Sequence, residues 1–325
     1  MENEIFRSNT GLSGLENAVS RVKNEIAKVI VGQHEMIEML IAAILADGHV
    51  LIEGVPGTAK TLTAKLTARC LDVHFSRIQF TPDLMPSDLL GTSVFNPQSA
   101  SFQFRQGPVF SNMVLIDEIN RSPAKTQAAL FEVMEEKQVT MDGKTYFMSE
   151  PFMVIATQNP IEHEGTYRLP EAQMDRFLFK IEVPYPSLNE EVNILEFANE
   201  GKTIHYDHVI TPVLNANDII SFRKQVEQLH IEQPVMEYIA KLVQATRNDP
   251  AVYLGASPRA SVAVLRSSKA IAAMHGRDFV TPDDVHRVLK SVLCHRIILT
   301  PEREMEGVTL EEVIEQIVKK TEVPR

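Results

Sequence analysis

The chain is predicted to fold as an α/β protein, a P-loop core built on a doubly wound parallel sheet and followed by a smaller α-helical domain. Three observations carry that prediction. The apolar run Leu51-Ile52 enters the turn Glu53-Gly54-Val55-Pro56-Gly57-Thr58-Ala59, which ends in Lys60-Thr61. A second apolar run, Met113-Val114-Leu115-Ile116, ends in Asp117-Glu118. Strand-like runs alternate with helical stripes as far as Pro184-Tyr185-Pro186, beyond which the periodic segments read as helices. Such alternation implies parallel strands, with the ligand-binding loops gathered at their C-terminal ends.

The elements follow in order. A helix is expected over 33–46, where Met36, Ile37, Leu40, Ile41, Ile44 and Leu45 form one stripe that stops before Asp47-Gly48. A strand, the glycine-rich turn and a helix over about 60–70 come next, then strands at 73–80, 113–116, 152–157 and 177–183 and a helix at 123–136. Segments 216–229, 235–248, 260–275 and 282–295 read as amphipathic helices, with Thr281-Pro282-Asp283-Asp284 a start signal. Thr309-Leu310-Glu311-Glu312 is a capping box for a last helix carrying Leu310, Val313, Ile314, Ile317 and Val318. The expected division is a core over residues 1–185 and a helical domain over 186–325.

Composition narrows the chemistry. At 325 residues, 44% hydrophobic and 23% charged, the chain is long enough for two cores. A formal net charge of −11 argues against a general grip on nucleic acid, which demands clustered Lys and Arg. Cys70 and Cys294 have no paired spacing, so free thiols in a reducing compartment are expected. The N-terminus lacks a basic and apolar leader, and no window has the apolar length of a membrane span; a cytoplasmic location with no membrane contact is expected.

The glycine-rich turn has the form of a phosphate cradle. Successive backbone N–H groups wrap a triphosphate, Lys60 reaches the β/γ-phosphates and the Thr61 hydroxyl ligates Mg²⁺. Ala59 stands where the best-known form has glycine, a tolerated variant because Gly54, Gly57, Lys60 and Thr61 keep their spacing. A lone Asp-Glu after a strand is ordinarily a solvated helix start. Beside a phosphate loop, Asp117 reads as the residue that holds Mg²⁺ through water and Glu118 as the base that polarises the attacking water. ATP and Mg²⁺ are the expected cofactors.

Several separated motifs then occur in one order: Ile30-Val31-Gly32-Gln33, the loop through Lys60-Thr61-Leu62, Leu115 to Arg121, Ala156-Thr157-Gln158-Asn159-Pro160, Leu169-Pro170-Glu171-Ala172-Gln173-Met174-Asp175-Arg176-Phe177, and Gly255-Ala256-Ser257-Pro258-Arg259-Ala260. Together they resemble the MoxR family of AAA+ ATPases over nearly the whole chain. The resemblance implies a AAA+ core with a helical lid, ATP hydrolysis and a hexameric ring. It also implies chaperone-like maturation of a protein client, commonly with a partner carrying a von Willebrand factor A domain. By that resemblance Val31 and Gly32 pack on the adenine, and Gly54, Val55, Pro56, Gly57, Thr58, Ala59, Lys60, Thr61 and Leu62 hold the nucleotide. Asn159 is sensor 1, Arg176 the arginine finger presented to a neighbouring subunit, and Arg259 sensor 2, acting within its own subunit or on the next. Gln79 is a candidate restraint on Glu118. Arg168 stands where the family more often has proline and is the second candidate for the finger.

Two hairpins complete the expectation. Asp142-Gly143 within 139–147 marks a tight turn, and 92–107 resembles the family's helix-2 insert, with Phe95, Phe102 and Phe104 around Asn96-Pro97. Arg105 is the only charge in the insert, and Lys144 faces Asp142 in the other hairpin, so these loops suit a polypeptide better than a phosphate backbone; alternatively the phenylalanines pack the hairpin base. His205-Tyr206-Asp207-His208 lacks a third ligand at metal spacing. Three other readings stay open: a nucleotide-gated scaffold with little turnover, a magnesium-chelatase-like ATPase subunit, and a nucleic-acid motor, which the acidic chain disfavours.

Overall fold

Apolar runs and helical stripes take up the alternation expected of them. The computed structural model describes residues 10–160, 166–167, 169–199 and 209–324; His163, Arg168, His205 and His208 lie outside the described residues. Helices α1 (Thr10–Ala27) and α2 (His34–Leu45) precede strand β1 (Val50–Gly54), and helix α3 (Lys60–Cys70) leaves the glycine-rich turn. Strand β2 (Phe75–Gln79), helix α4 (Pro86–Leu90), the hairpin of β3 (Gly91–Asn96) and β4 (Ser101–Gln106), strand β5 (Met113–Asp117) and helix α5 (Ala124–Glu136) follow. A second hairpin, β6 (Gln138–Met141) and β7 (Lys144–Phe147), leads to strand β8 (Met153–Gln158), the single-turn α6 (Glu171–Met174) and strand β9 (Phe179–Val183). Beyond them lie α7 (Leu188–Asn199), α8 (Ala216–Glu227), α9 (Gln233–Asn248), β10 (Val252–Leu254), α10 (Pro258–Met274), α11 (Pro282–Leu293), β11 (Ile298–Leu299), α12 (Pro301–Met305) and α13 (Leu310–Lys320).

The central sheet has the order β2-β5-β8-β1-β9 with every neighbouring pair parallel. Its two faces feed two cores. Val50 and Ile52, Met113 and Leu115, and Met153 and Ile155 enter one apolar cluster, whereas Leu51, Val114, Ile116, Val154 and Ala156 enter the other. That is the period-2 alternation of strands buried on both sides. Helices α2 and α3 cover the first face together with α8 to α11, while α5 covers the second through Leu130, Phe131, Val133 and Met134. Gly54, Gln79, Asp117 and Gln158 therefore end their strands along one edge of the sheet.

Three differences from the sequence reading have physical reasons. Helix α1 was not expected, although Leu12, Leu15, Val19, Val22 and Ile26 repeat at helical spacing and are buried. The C-terminal half is not helix alone, because β10 and β11 pair antiparallel across the α10–α11 unit. Phe177 is not in a strand: pairing with β1 begins at Phe179, and the preceding carbonyls of Phe177 and Leu178 accept hydrogen bonds from the buried guanidinium of Arg296, at 2.6 and 3.2 Å. Arg296 also donates from Nε to Asp175 Oδ1 at 2.6 Å, and Ser257 donates to Asp175 Oδ2 at 3.0 Å, so the helical half clasps the segment that carries Arg176. A further buried contact joins the halves: Glu38 of α2 pairs with Lys23 of α1 at 2.9 Å and with Arg287 of α11.

His49 anchors the start of β1. Its Nδ1 accepts from the Val154 amide and its Nε2 faces the Met134 carbonyl, both at 3.0 Å, which fixes a neutral ring bridging β8 and the end of α5. Burial is the main cause that pushes its pKa down from 6.5 to about 4, against the pull of the Met134 carbonyl. The unfolded chain therefore takes up this proton first: the contribution is whole above pH 6.5 and declines as pH falls toward 4, by about 2 kcal/mol at pH 5. Urea denaturation at about pH 7.5 and pH 5 should show that extra loss in the wild type and its absence in His49→Gln; equal losses would mean that His49 is already protonated in the fold.

Candidate nucleotide site

The turn after β1 is shaped by three backbone demands. A side chain on Gly54 would come 2.9 Å from the Val183 carbonyl, so glycine lets β1 run close to β9. Gly57 sits at φ +89°, where glycine is at ease. Ala59 sits at φ +59° and ψ +18°, the left-handed region, where a Cβ costs about 1 kcal/mol. The methyl thus carries a backbone cost while it packs against the apolar cluster below the turn. Thr58 donates to the Val55 carbonyl at 3.0 Å, and Lys60 folds back to donate to the carbonyls of Gly54 and Val55, the latter at 3.0 Å. Burial lowers the Lys60 pKa, opposed by Asp117, Glu118 and Glu53.

A cleft of about 380 Å³ opens over this turn, lined by residues 56–62 together with Arg77, Gln79, Asp117, Glu118, Thr157, Gln158 and Asn159. Asp117 is buried at its floor. Its Oδ1 accepts from the hydroxyls of Thr61 and Thr157, each at 3.2 Å, and its Oδ2 meets Arg77 Nε at 2.5 Å. Glu118 adopts φ +58° and ψ +55°, a conformation that a glutamate holds only when its surroundings impose it. The Thr157 hydroxyl accepts from its amide at 3.1 Å, while its carboxylate accepts from Gln79 Nε2 at 2.8 Å and pairs with Arg121 at 3.0 Å. Arg121 lies in the single 3₁₀ turn Ile119–Arg121. Carboxylate and hydroxyl are hard oxygen donors, so Asp117 and Thr61 fit Mg²⁺ in kind.

Five of the expected groups, Lys60, Thr61, Asp117, Glu118 and Asn159, share one cleft. Arg176 and Arg259 do not line it. They meet instead at Glu135 in the last turn of α5, Arg176 Nη1 at 3.4 Å from one carboxylate oxygen and Arg259 Nη2 at 3.4 Å from the other. Arg176 also donates to the Phe131 carbonyl at 2.8 Å. Val31 and Gly32 do not line the cleft either; Gly32, at φ +71°, has the Glu190 carboxylate of α7 so close that a Cβ would lie 2.2 Å from Oε1. Cys70 and Cys294 are free and buried, and burial pushes both thiols up to about 12. Among the described residues no group of three or more His, Cys, Asp or Glu is arranged to hold a metal, and no helix is long and apolar enough to cross a membrane.

Sequence reasoning missed Arg77, Arg121, Thr157 and Glu135. Arg77 carried a usable signal: it lies two residues before Gln79 in a strand, hence on the same face.

Residues 49–179 match the ATPase family associated with various cellular activities (AAA), and residues 244–317 match the AAA lid domain. The chaperone MoxR1 of Mycobacterium tuberculosis is 41% identical over 329 residues, covering 97% of this chain and 85% of that protein. The chain belongs to the MoxR family of AAA+ ATPases. A crystal structure titled only as a candidate ATPase, from Cytophaga hutchinsonii, is 41% identical with a TM-score of 0.89 and 97% of each chain covered. The uncharacterised YeaC of Bacillus subtilis is 44% identical over 95% of this chain and 96% of its own length. A magnesium-chelatase subunit homologue from Methanocaldococcus jannaschii reaches only 26% over 58% of the chain, a distant relation. MoxR membership brings nucleotide binding and ATPase chemistry at the level of the family.

Because Ala59 is strained in this MoxR-family loop, Ala59→Gly should raise the stability of the nucleotide-free protein by about 1 kcal/mol. Chemical denaturation checks this, and a loss of stability would show that the left-handed turn is not strained by alanine.

Proposed function

We propose that this chain hydrolyses MgATP and converts the cycle into motion of its helical lid within a hexameric ring, acting as a cytoplasmic, chaperone-like remodeller of protein complexes. The observation that carries the reading is the division of labour between the nucleotide cleft and a second one, lined by Glu135, Arg176, Arg259 and Arg296 among others. Lys60, Thr61, Asp117, Glu118 and Asn159 converge on one, whereas Arg176 and Arg259 are held at Glu135 on the other. An arginine finger placed away from its own nucleotide cleft suits service to a neighbour's.

The chain's own residues would act as follows. Lys60 leaves the Val55 carbonyl for the phosphates, to which the turn's backbone N–H groups also point. Glu118 is restrained by Gln79 and Arg121 and must be released before it accepts a proton from the attacking water, which Asn159 helps to place. Bound magnesium, held through Asp117 and Thr61, supplies charge neutralisation of the phosphates. Arg176 stabilises the charge of the transferring phosphoryl group across the subunit boundary, and Arg259 couples lid angle to nucleotide.

The hairpins support a protein client. Phe95 and Phe102 are exposed at 50% and 72%, paired across the strands with ring centroids 5.4 Å apart. Phe104 instead packs between Phe110 and Tyr146, at 5.9 and 4.6 Å, so it serves the hairpin base. A von Willebrand factor A domain partner is proposed from the family resemblance alone. A scaffold with little turnover is the second reading, favoured only by the restraint on Glu118; the magnesium-chelatase reading loses weight with the distance of that relative.

Subunit mixing tests the ring. Lys60→Ala subunits should fail to bind ATP, and Arg176→Ala subunits should bind but hydrolyse at least about a hundredfold more slowly. Co-assembled, they should exceed either parent, since one supplies the finger and the other the cradle. Mixed oligomers as inactive as their parents would confine Arg176 to its own subunit. A separate assay concerns the client: Phe95→Ala with Phe102→Ala should abolish stimulation by an unfolded protein while basal ATPase stays within about twofold, and single-stranded DNA should bind poorly at physiological salt. Tight, salt-sensitive DNA binding with stimulation would reverse the choice of polymer.

A further inference from the structure

Strand β2 sends the side chains of Arg77 and Gln79 from one face toward the two acids that end β5. Gln79 takes Glu118; Arg77 takes Asp117. The partners differ in freedom. The Asp117 side chain is 7% exposed and fixed through Oδ1 by Thr61 and Thr157, whereas the Arg77 side chain is 55% exposed. A carboxylate this deeply buried needs a positive partner, and the guanidinium provides it at Oδ2. The same carboxylate is the oxygen donor that suits magnesium. Magnesium drawn to this carboxylate, directly or through water, is repelled by a guanidinium seated on the same group.

We propose that Arg77 is the built-in counter-ion of the magnesium site, paired with Asp117 Oδ2 and competing with the charge of magnesium for that carboxylate. The inference rests on the reading of Asp117 and Thr61 as the metal-associated pair. Arg77 must then leave Oδ2 before metal charge is held there, and its long exposed side chain gives it somewhere to go. The competition sets a threshold: at low magnesium the acid stays paired with arginine, so nucleotide alone does not complete the site. A supporting role in which Arg77 merely orients Asp117 has the opposite sign, because removing a support weakens metal binding.

The test uses the full-length chain and a fluorescent ADP analogue. Binding is measured across a magnesium titration for the wild type, Arg77→Gln, Arg77→Met and Arg77→Lys. Losing the charge should lower the magnesium concentration that gives half of the metal-dependent gain in affinity by about fivefold, in line with a half-exposed ion pair. Arg77→Gln and Arg77→Met should agree, and Arg77→Lys, which keeps the charge, should stay within about twofold of the wild type. A half-point that is unchanged or higher in both neutral variants overturns the proposal and leaves Arg77 as a support. If wild-type binding does not depend on magnesium at all, the metal-pair reading fails, and the counter-ion with it.

Discussion

Asp117 is the point at which the elements of the nucleotide cleft are tied together. Its carboxylate joins the first turn of α3 through Thr61, β8 through Thr157 and β2 through Arg77, while its own backbone closes β5. Three of the five strand ends are thereby fixed relative to the phosphate turn by one buried group. Leaving that group without partners would cost several kcal/mol, so the surrounding elements are held to it. The next residue inherits the constraint. Glu118 is forced into a left-handed conformation with its amide on Thr157, and that aims its carboxylate at Gln79 and Arg121.

A second ionic pair, in which Arg296 is buried and Asp175 half-buried, does for the lid what Asp117 does for the cleft. Asp175 accepts from Arg296 and Ser257, so the turn that carries Arg176 is fastened both to the end of α11 and to the loop that starts α10, where Arg259 lies. Glu135 then gathers both arginines at one carboxylate, Arg176 from the turn after α6 and Arg259 from the first turn of α10.

Much of this was readable from spacing. The interval between Gly54 and Thr61 and the paired acids at the end of an apolar strand identified one cleft, and the structure brings Lys60, Thr61, Asp117, Glu118 and Asn159 to it. Most strands and long helices followed from periodicities of 2 and 3.6, with boundaries displaced by a residue or two, whereas α1, α4, α6, α7, α12, β10 and β11 went unread. What stayed hidden depended on partners distant in sequence. An arginine in a strand has no local signature, so Arg77 acquires meaning only when β2 pairs with β5. Phe104 and Phe102 look alike in the chain, yet Phe104 is half-buried against Tyr146 of another hairpin while Phe102 stays exposed. Gly32 is legible as a turn but not as the seat of Glu190, which arrives from beyond the sheet.

The two hairpins are coupled mechanically. Phe104 stacks on Tyr146, and Ser93 donates to Asp142, so β3–β4 cannot swing without carrying β6–β7. Only Glu136 and Lys137 separate Glu135 from the first residue of β6. From the exposed Phe102 a continuous chain of contacts thus runs through the second hairpin to the last turn of α5 and the carboxylate shared by Arg176 and Arg259, so the tip and the arginine pair are linked by contacts though far apart in sequence.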